Sequence, residues 1–553
     1  MGGMELGNPL TMSWASWRLP AIVFFGLALM GAPARAQPSA GLERAESLPP
    51  GCLAAGAISD AAGAVQRAEE ILSALDGKPA DGSLRTGLGS LIRNPDLAGV
   101  DLSAPVRFFY MNPQLFSSPW VYQFGVTDAD GLKRAMAANR PEAQEGEVAL
   151  RLEGRQATWS LDAKAAESLI EWEKGGGKSP DFRAAGQFQA RLDVQGLLRA
   201  FDSQFAAEVL LMKGRAREAL ERRGRNDAAV EREISAVQAQ LDSAVAALRQ
   251  VREADFALEL DPAFARVELD VRLMDSSPLR ELFRAHAPGD LGLLGLCPPE
   301  ASLVAVNNLS FVKAAGEMLL NMAGWPSPEK SAPGAGAGHR AVALFLSRQA
   351  GEPDAPTRVE ILDLRDGDQA VKARQEWDRL ARPAAEPAIP GGVGGAPFSL
   401  HPVSAAGPGA AGVRLAEIAP DEATLQPRGL AVFRRFLGSR AQAAQESRGD
   451  TCVTAIGGSP AERVRQAEAL AEAKQDSLAA SPRFQRSIAS LPEKPNLLVY
   501  ISPDALRRWF ALGGRASSAP IPADAMGPAA GLTIGDGARF VLKFPTGDIP
   551  IAR

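Results

Sequence analysis

Between residues 256 and 274 the chain reads FALELDPAFARVELDVRLM, and apolar and polar positions alternate along it. Phe256, Leu258 and Leu260 share one parity, as do Val267, Leu269, Val271 and Leu273; Glu259, Arg266, Glu268, Asp270 and Arg272 take the other. Period-two alternation places one parity on a core and the other toward water, because successive strand side chains point to opposite faces. Two such runs in succession predict a β-hairpin, with Leu269 buried and Glu268 and Asp270 exposed. The same grammar returns as GLTIGDGARFVLKF at 531–544. The outer parity mixes charge signs within a few residues. That predicts cross-strand ion pairs on a wet face, with a recognition surface as the competing reading.

The hairpin is one of six segments that recur in the same order. SLPPGCLAAGAISDAAGAVQRAEEIL from Ser47 matches GLCPPEASLVAVNNLSFVKAAGEML from Gly295, each running Pro-Pro, short strand, polar stop, amphipathic helix. The strand VRFFYMNP (106–113) matches AVALFLSR (341–348), and VYQFGVTDADGLKRAMA (121–137) matches RVEILDLRDGDQAVKARQEW (358–377). ALRLEGRQATWSLDAKAAESLIEW (149–172) is paired with TCVTAIGGSPAERVRQAEAL (451–470), and QARLDVQGLLRAF (189–201) with LVYISPDALRRWF (498–510). Repetition at this length points to duplication. The recurring unit is a strand ending at a residue able to cap a helix: Asp193, Asn307 or Asn308, and Ser502 before Pro503. The helices that follow should bury Leu197 and Phe201, or Leu506 and Phe510. The expected fold class is α+β, in two similar halves, 48–296 and 297–553, each a mostly antiparallel mixed sheet with helices on one face.

The halves differ in their insertions. In the first, about 199–253 is helical in pattern, and Val230, Ile234, Val237, Leu241, Ala244, Leu248 and Val251 step alternately by four and three. This is either an antiparallel helix pair folded back at 222–227 or a heptad seam for self-association through Val230, Ile234, Val237, Leu241 and Leu248. The second half carries Pro/Gly/Ala-rich stretches at 327–339 and 382–412 that lack periodicity and predict loops.

The first 36 residues read as a secretory signal. Arg18 supplies the positive region, AIVFFGLALMGA (21–32) the apolar core, and Ala34 and Ala36 the small residues before a cut at Gln37; a retained N-terminal anchor is the alternative. Later apolar runs such as LGLLGLC (291–297) fall short of the ~20 residues of a membrane span. The expected location is therefore periplasmic or extracellular. A net charge of −5 offers no basic surface for nucleic acid. Three cysteines, Cys52, Cys297 and Cys452, leave at least one thiol unpaired within the chain, and Cys452 in an apolar strand reads as a buried, inert thiol.

Familiar chemistry leaves little trace. The three histidines, His286, His339 and His401, have no ligand spacing and no G-x-S-x-G partner. SFVK at 310–313 matches S-x-x-K without its companion motifs, and it begins a helix that the repeat already explains. DADG (128–131) and DLRDGD (363–368) lack the spacing of calcium loops and read as capped helix starts. GGVGG (391–395) follows Pro390 rather than a strand, and Asn308-Leu309-Ser310 is a formal glycosylation sequon. The sequence thus assigns no catalytic, cofactor-binding or metal-ligating residue. Paired carboxylates for hydrolysis leave no sequence trace.

With its two Pro-Pro starts and repeated strand-cap-helix units, the chain resembles a loose group of large secreted bacterial proteins of unknown function. Their halves open with LP-x-x-x-L-A-x-V-x-x patterns; LPPGCLAAGAISD and CPPEASLVAVNNL carry the likeness. The resemblance implies a duplicated envelope-side protein with no assigned activity and contributes no functional residues. The expected function is binding or a structural role in the envelope or outside the cell, without catalysis and without a cofactor. The alternatives are a carboxylate-based hydrolase and a carrier of an apolar ligand. N-terminal sequencing of protein from the extracytoplasmic fraction should begin at Gln37; intact Met12 in a soluble cytoplasmic pool would contradict the signal reading.

Overall fold

The computed structural model describes residues 48–76, 82–139, 149–177, 187–221, 235, 242, 245–284, 291–308, 340–345, 357–363, 398–403, 413–420, 441–448, 451–457, 460–473, 477–512, 521–522 and 525–546, and the statements below refer to these. The fold is α+β, built on a large antiparallel sheet with several helices.

The first half contributes β1 (Cys52–Ile58), β2 (Val100–Asp101), β3 (Val106–Met111), β4 (Trp120–Val126), β5 (Ala149–Glu153), β6 (Gln156–Ser160), β7 (Phe188–Asp193), β8 (Val251–Leu260) and β9 (Phe264–Leu273). Their hydrogen-bonded order is β5-β6-β4-β3-β1-β7-β8-β9, with β2 beside the far end of β4. The second half contributes β10 (Leu303–Asn307), β11 (Arg340–Phe345), β12 (Thr357–Asp363), β13 (Phe398–Val403), β14 (Arg414–Pro420), β15 (Ala441–Arg448), β16 (Thr451–Gly457), β17 (Leu497–Ile501), β18 (Ala529–Ile534) and β19 (Gly537–Pro545). Here the order is β13-β14-β15-β16-β12-β11-β10-β17-β18-β19. From β15 inward it follows the first half strand for strand. The two series then join, because β9 pairs with β19 over nine residue pairs, from Gly537↔Arg272 to Pro545↔Phe264.

The helices that matter for the faces are α1 (Ala61–Asp76), α2 (Ser83–Leu91), α3 (Ala129–Ala138), α4 (Ala163–Lys174), α5 (Val194–Ala200), α6 (Asp202–Glu221) and α7 (Pro278–Arg284), with α8 (Pro460–Ala473), α9 (Pro482–Ile488) and α10 (Pro503–Leu512) in the second half. Several begin where a strand ends on a capping side chain. Asp128 accepts from the N–H groups of Asp130 and Gly131, Asp162 from Lys164 and Ala165, and Asp193 from Gly196, each satisfying donors that have no partner inside the helix. Ser502 Oγ accepts from Ala505 N–H in the same way. The DADG stretch is therefore a helix cap. Phe201 stacks on Tyr110 with centroids 6.4 Å apart, and Leu506 is buried.

Helices cover both faces of the first half, not one as expected. Tyr122, Phe124, Ala157 and Trp159 pack with Ile92, Leu97 and Leu132 on one side, while Phe109, Met111 and Val121 pack with Ala165 and Leu169 of α4 on the other. Consecutive apolar residues such as Phe108-Phe109 make sense only in a strand buried on both sides. All the pairings are antiparallel rather than mixed. In the second half, β10, β12, β16 and β17 form a core with Val464 and Ala467 of α8 and Phe484 of α9. Cys52, Cys297 and Cys452 are buried, and none of them is in a disulfide; burial pushes the Cys297 thiol up to about 12.

Several other expectations are corrected. Residues 149–172 hold the β5–β6 hairpin as well as α4, whereas 451–470 hold β16 and the start of α8 without a hairpin, and the strand in β5's place in the sheet order is β15, upstream. The 382–412 stretch contains β13, which carries His401; its Pro402 is tolerated because β13 pairs only with β14 and stands at an edge. Val251 opens strand β8 instead of ending a helical seam, since its side chain belongs to a buried cluster with Val271 and Phe283. Leu248 packs against the same cluster, whereas Val230, Ile234, Val237 and Leu241 lie outside the described residues. So do His286, His339, the 310–313 and 391–395 motifs and the 327–339 stretch. No helix of the described residues is long and apolar enough to cross a membrane.

Candidate functional site

The cross-strand register sorts the central side chains into two faces. Phe108 lies opposite Tyr122, Tyr122 opposite Trp159, Gly56 opposite Phe108, and Ile58 opposite Phe188. Ala190 lies opposite Phe256, Phe256 opposite Leu269, Leu269 opposite Phe540, and Phe540 opposite Leu532. These residues share one face, and their rings form a continuous strip. Centroids are 5.6 Å apart for Tyr122–Trp159, 6.0 Å for Trp120–Tyr122, 4.8 Å for Tyr110–Trp120, 6.4 Å for Phe108–Trp120, 5.6 Å for Phe108–Phe188 and 5.8 Å for Phe188–Phe256. Stacked and edge-on pairs at such spacings are the arrangement that ring quadrupoles favour.

Gly56 is what lets the strip cross β1. A Cβ there would sit 2.0 Å from Cζ of Phe108 and 2.7 Å from the Gln189 carbonyl, so the Phe108 ring lies flat over the glycine. The strip grades from buried to open. Trp159 and Tyr122 are buried, Phe108, Tyr110, Phe188 and Phe256 half-buried, and Trp120 is 41% exposed. Trp159 Nε1 is buried without an acceptor. Burial pushes the Tyr122 hydroxyl up to about 12 and also raises that of Tyr110, so both stay protonated near neutrality and neither serves as a base. An apolar recess beside Tyr122, lined by residues including Leu88, Ile92 and Phe124, holds about 10 Å³, the scale of one water and far below a small-molecule site.

The opposite face carries the charges. Arg191 grips Asp255 through two contacts, Nε–Oδ1 at 2.6 Å and Nη2–Oδ2 at 2.8 Å. Arg272 bonds Glu253 and reaches Asp255 Oδ2 at 3.2 Å. Arg266 contacts Glu268 at 2.6 Å and Glu259 at 3.5 Å, and Arg539 of the second half donates to Glu268 at 2.7 Å. The expected ion pairs are present, but the face is not simply wet. Glu268 is 15% exposed and Arg266 14%, while Leu269 and Asp270 are both half-buried. Asp255 and Asp270 stand directly opposite each other, a repulsive pairing that the neighbouring arginines offset. Burial holds the Asp270 carboxyl above its ordinary value; Asp255 and Glu268 add to the shift, against Arg272 and Arg539. No group of three or more His, Cys, Asp or Glu among the described residues could hold a metal ion.

Sequence patterning predicted the charge pairs but not the ring strip, whose members come from five strands spread between Phe108 and Phe256. Its one local signal is the density of aromatic residues in VRFFYM and WVYQF. The chain matches no family model, no curated protein and no solved structure.

The Asp270 shift has a pH consequence. A carboxyl whose folded pKa lies above its unfolded value favours the fold when protonated, and that contribution is lost as pH rises from the unfolded value through the folded one. Asp270→Asn should therefore gain stability relative to the parent as the pH rises from about 4 toward neutrality in urea unfolding. A relative stability that falls over that interval would contradict the assignment.

Proposed function

We propose that this protein is an exported envelope or extracellular component that acts by binding or as a structural element, and that its working surface is the aromatic strip of the first half. The observation that carries this reading is Trp120, 41% exposed although it packs against three rings of the strip, Phe108, Tyr110 and Tyr122. A large ring kept at the surface costs hydration unless something covers it. The buried, unaccepted N–H of Trp159, the ring at one end of the strip, supports the same reading. We further propose that the halves descend from duplication of one α+β unit, since from β5 to β9 and from β15 to β19 the strands follow the same spatial order.

The hydrolase alternative would draw on Asp255 and Asp270, a carboxylate pair set face to face. Both oxygens of Asp255 are already taken by Arg191 and Arg272, which favours a structural role for the pair. The carrier alternative lacks support from the recess beside Tyr122, given its volume.

Titrating tryptophan fluorescence of the mature protein with a soluble β-linked oligosaccharide, palmitate and an aromatic-rich peptide tests the reading. One probe should saturate, and Trp120→Ala should weaken it by about tenfold with the melting temperature unchanged. Saturation by none of the three, or indifference to Trp120→Ala, would overturn the strip as the working surface.

A further inference from the structure

The antiparallel pairing of β9 with β19 is centred on Glu268↔Val541, and it generates two matching seats on the apolar face. Three residues beyond the centre along β9 is Val271, and the same step along β19 is Phe544. Three residues before it are Ala538 on β19 and Ala265 on β9. Ile534 of β18 lies opposite Ala538 just as Leu260 of β8 lies opposite Ala265. The turn after β18 contains Asp536, and the turn after β8 contains Asp261.

The first seat is filled. Helix α7 places Leu279 and Phe283, 3% and 1% exposed, in the cluster that holds Val271, Ala538 and Ile534. Its cationic flank is fixed at the turn, where Arg280 Nε contacts Asp536 Oδ1 at 3.2 Å and Arg284 bonds the same oxygen. At the second seat α1 reaches β8, yet Leu260, Ala265 and Phe544 remain half-buried, whereas Val271 is 0% and Ala538 and Ile534 are each 7% exposed. Among the described residues the Asp261 carboxylate accepts a local bond from Ala263 N–H at 2.9 Å and forms no ion pair, the Lys543 ammonium acting on it only at longer range.

We infer that the Leu260–Ala265–Phe544 seat, with Asp261 at its rim, docks an amphipathic helix of a partner protein that has α7's chemistry: Leu and Phe four residues apart, with arginine following each. A helix of that pattern presents its apolar pair on one stripe and its cations beside it. The seat follows from the equivalence of the halves proposed above and is independent of the aromatic strip, so the two readings fail separately.

The probe is a labelled peptide of α7 itself, SPLRELFRAH (Ser277–His286), titrated into the full chain by fluorescence anisotropy. Saturable binding is expected, weakened by about tenfold or more in Phe544→Asp and in Asp261→Lys, and unchanged in Asp536→Lys and Trp120→Ala. A peptide with both Leu279 and Phe283 replaced by Asp should not bind. Should Phe544→Asp fail to fold, Asp261→Lys, a turn substitution, carries the test alone. Three results would overturn the inference. One is absence of saturable binding. Another is loss in Asp536→Lys but not in Asp261→Lys, which means exchange at α7's own seat. The third is a tenfold gain on deleting 547–553, which assigns the seat to the chain's own C-terminal segment.

Discussion

One row of backbone hydrogen bonds, between β9 and β19, makes a single sheet of two. Each half ends in a hairpin whose last strand would otherwise present a long edge of unpaired N–H and C=O groups with large apolar residues on one face. Such an edge templates aggregation. Pairing the two edges removes both liabilities at once, over nine residue pairs. It also explains why alternation is sharpest in these hairpins. A slip of one residue would throw Leu269 and Phe540 to the charged face and Glu268 to the apolar one, so the register needs strong specification. Leu269 opposite Phe540 supplies it on one face, and the Glu268–Arg539 bond supplies it on the other.

The faces then divide their work. On the charged face every long chain of contacts ends in neutralisation: Arg191–Asp255–Arg272–Glu253 and Glu259–Arg266–Glu268–Arg539. Partly desolvated networks of this kind fix geometry more than they add stability, and they leave few groups free to recognise a ligand. The apolar face is less finished. It is sealed where α7 lies over the seam and half-open toward Phe544 and toward Trp120. Binding is therefore more easily placed on that face than on the charged one.

Much of the local structure was legible in the sequence. The parity of Leu269 and Glu268 placed them correctly on opposite faces, and Asp128 and Asp193 announced their helices as caps. What stayed hidden was set by long-range neighbours. Glu268 is shielded because Arg539 reaches it from 271 residues away, so burial could not be read from its own strand. Strand β13 sits within a Pro/Gly-rich stretch, and its edge position makes Pro402 harmless. Phe108 and Phe109 look alike in sequence, yet one joins the ring strip and the other the α4 core, because the strand is covered on both sides. The strip itself needs the spatial order β6-β4-β3-β1-β7-β8, which no local pattern encodes.

Hydrogen exchange resolved by residue on the intact protein tests the seam most directly. If β9 and β19 pair as described, the amides of 265–271 and 538–544 exchange as slowly as those of the interior strands β1 and β10. Exchange at the rate of the edge strands β5 and β13 would mean that the two halves are not one sheet.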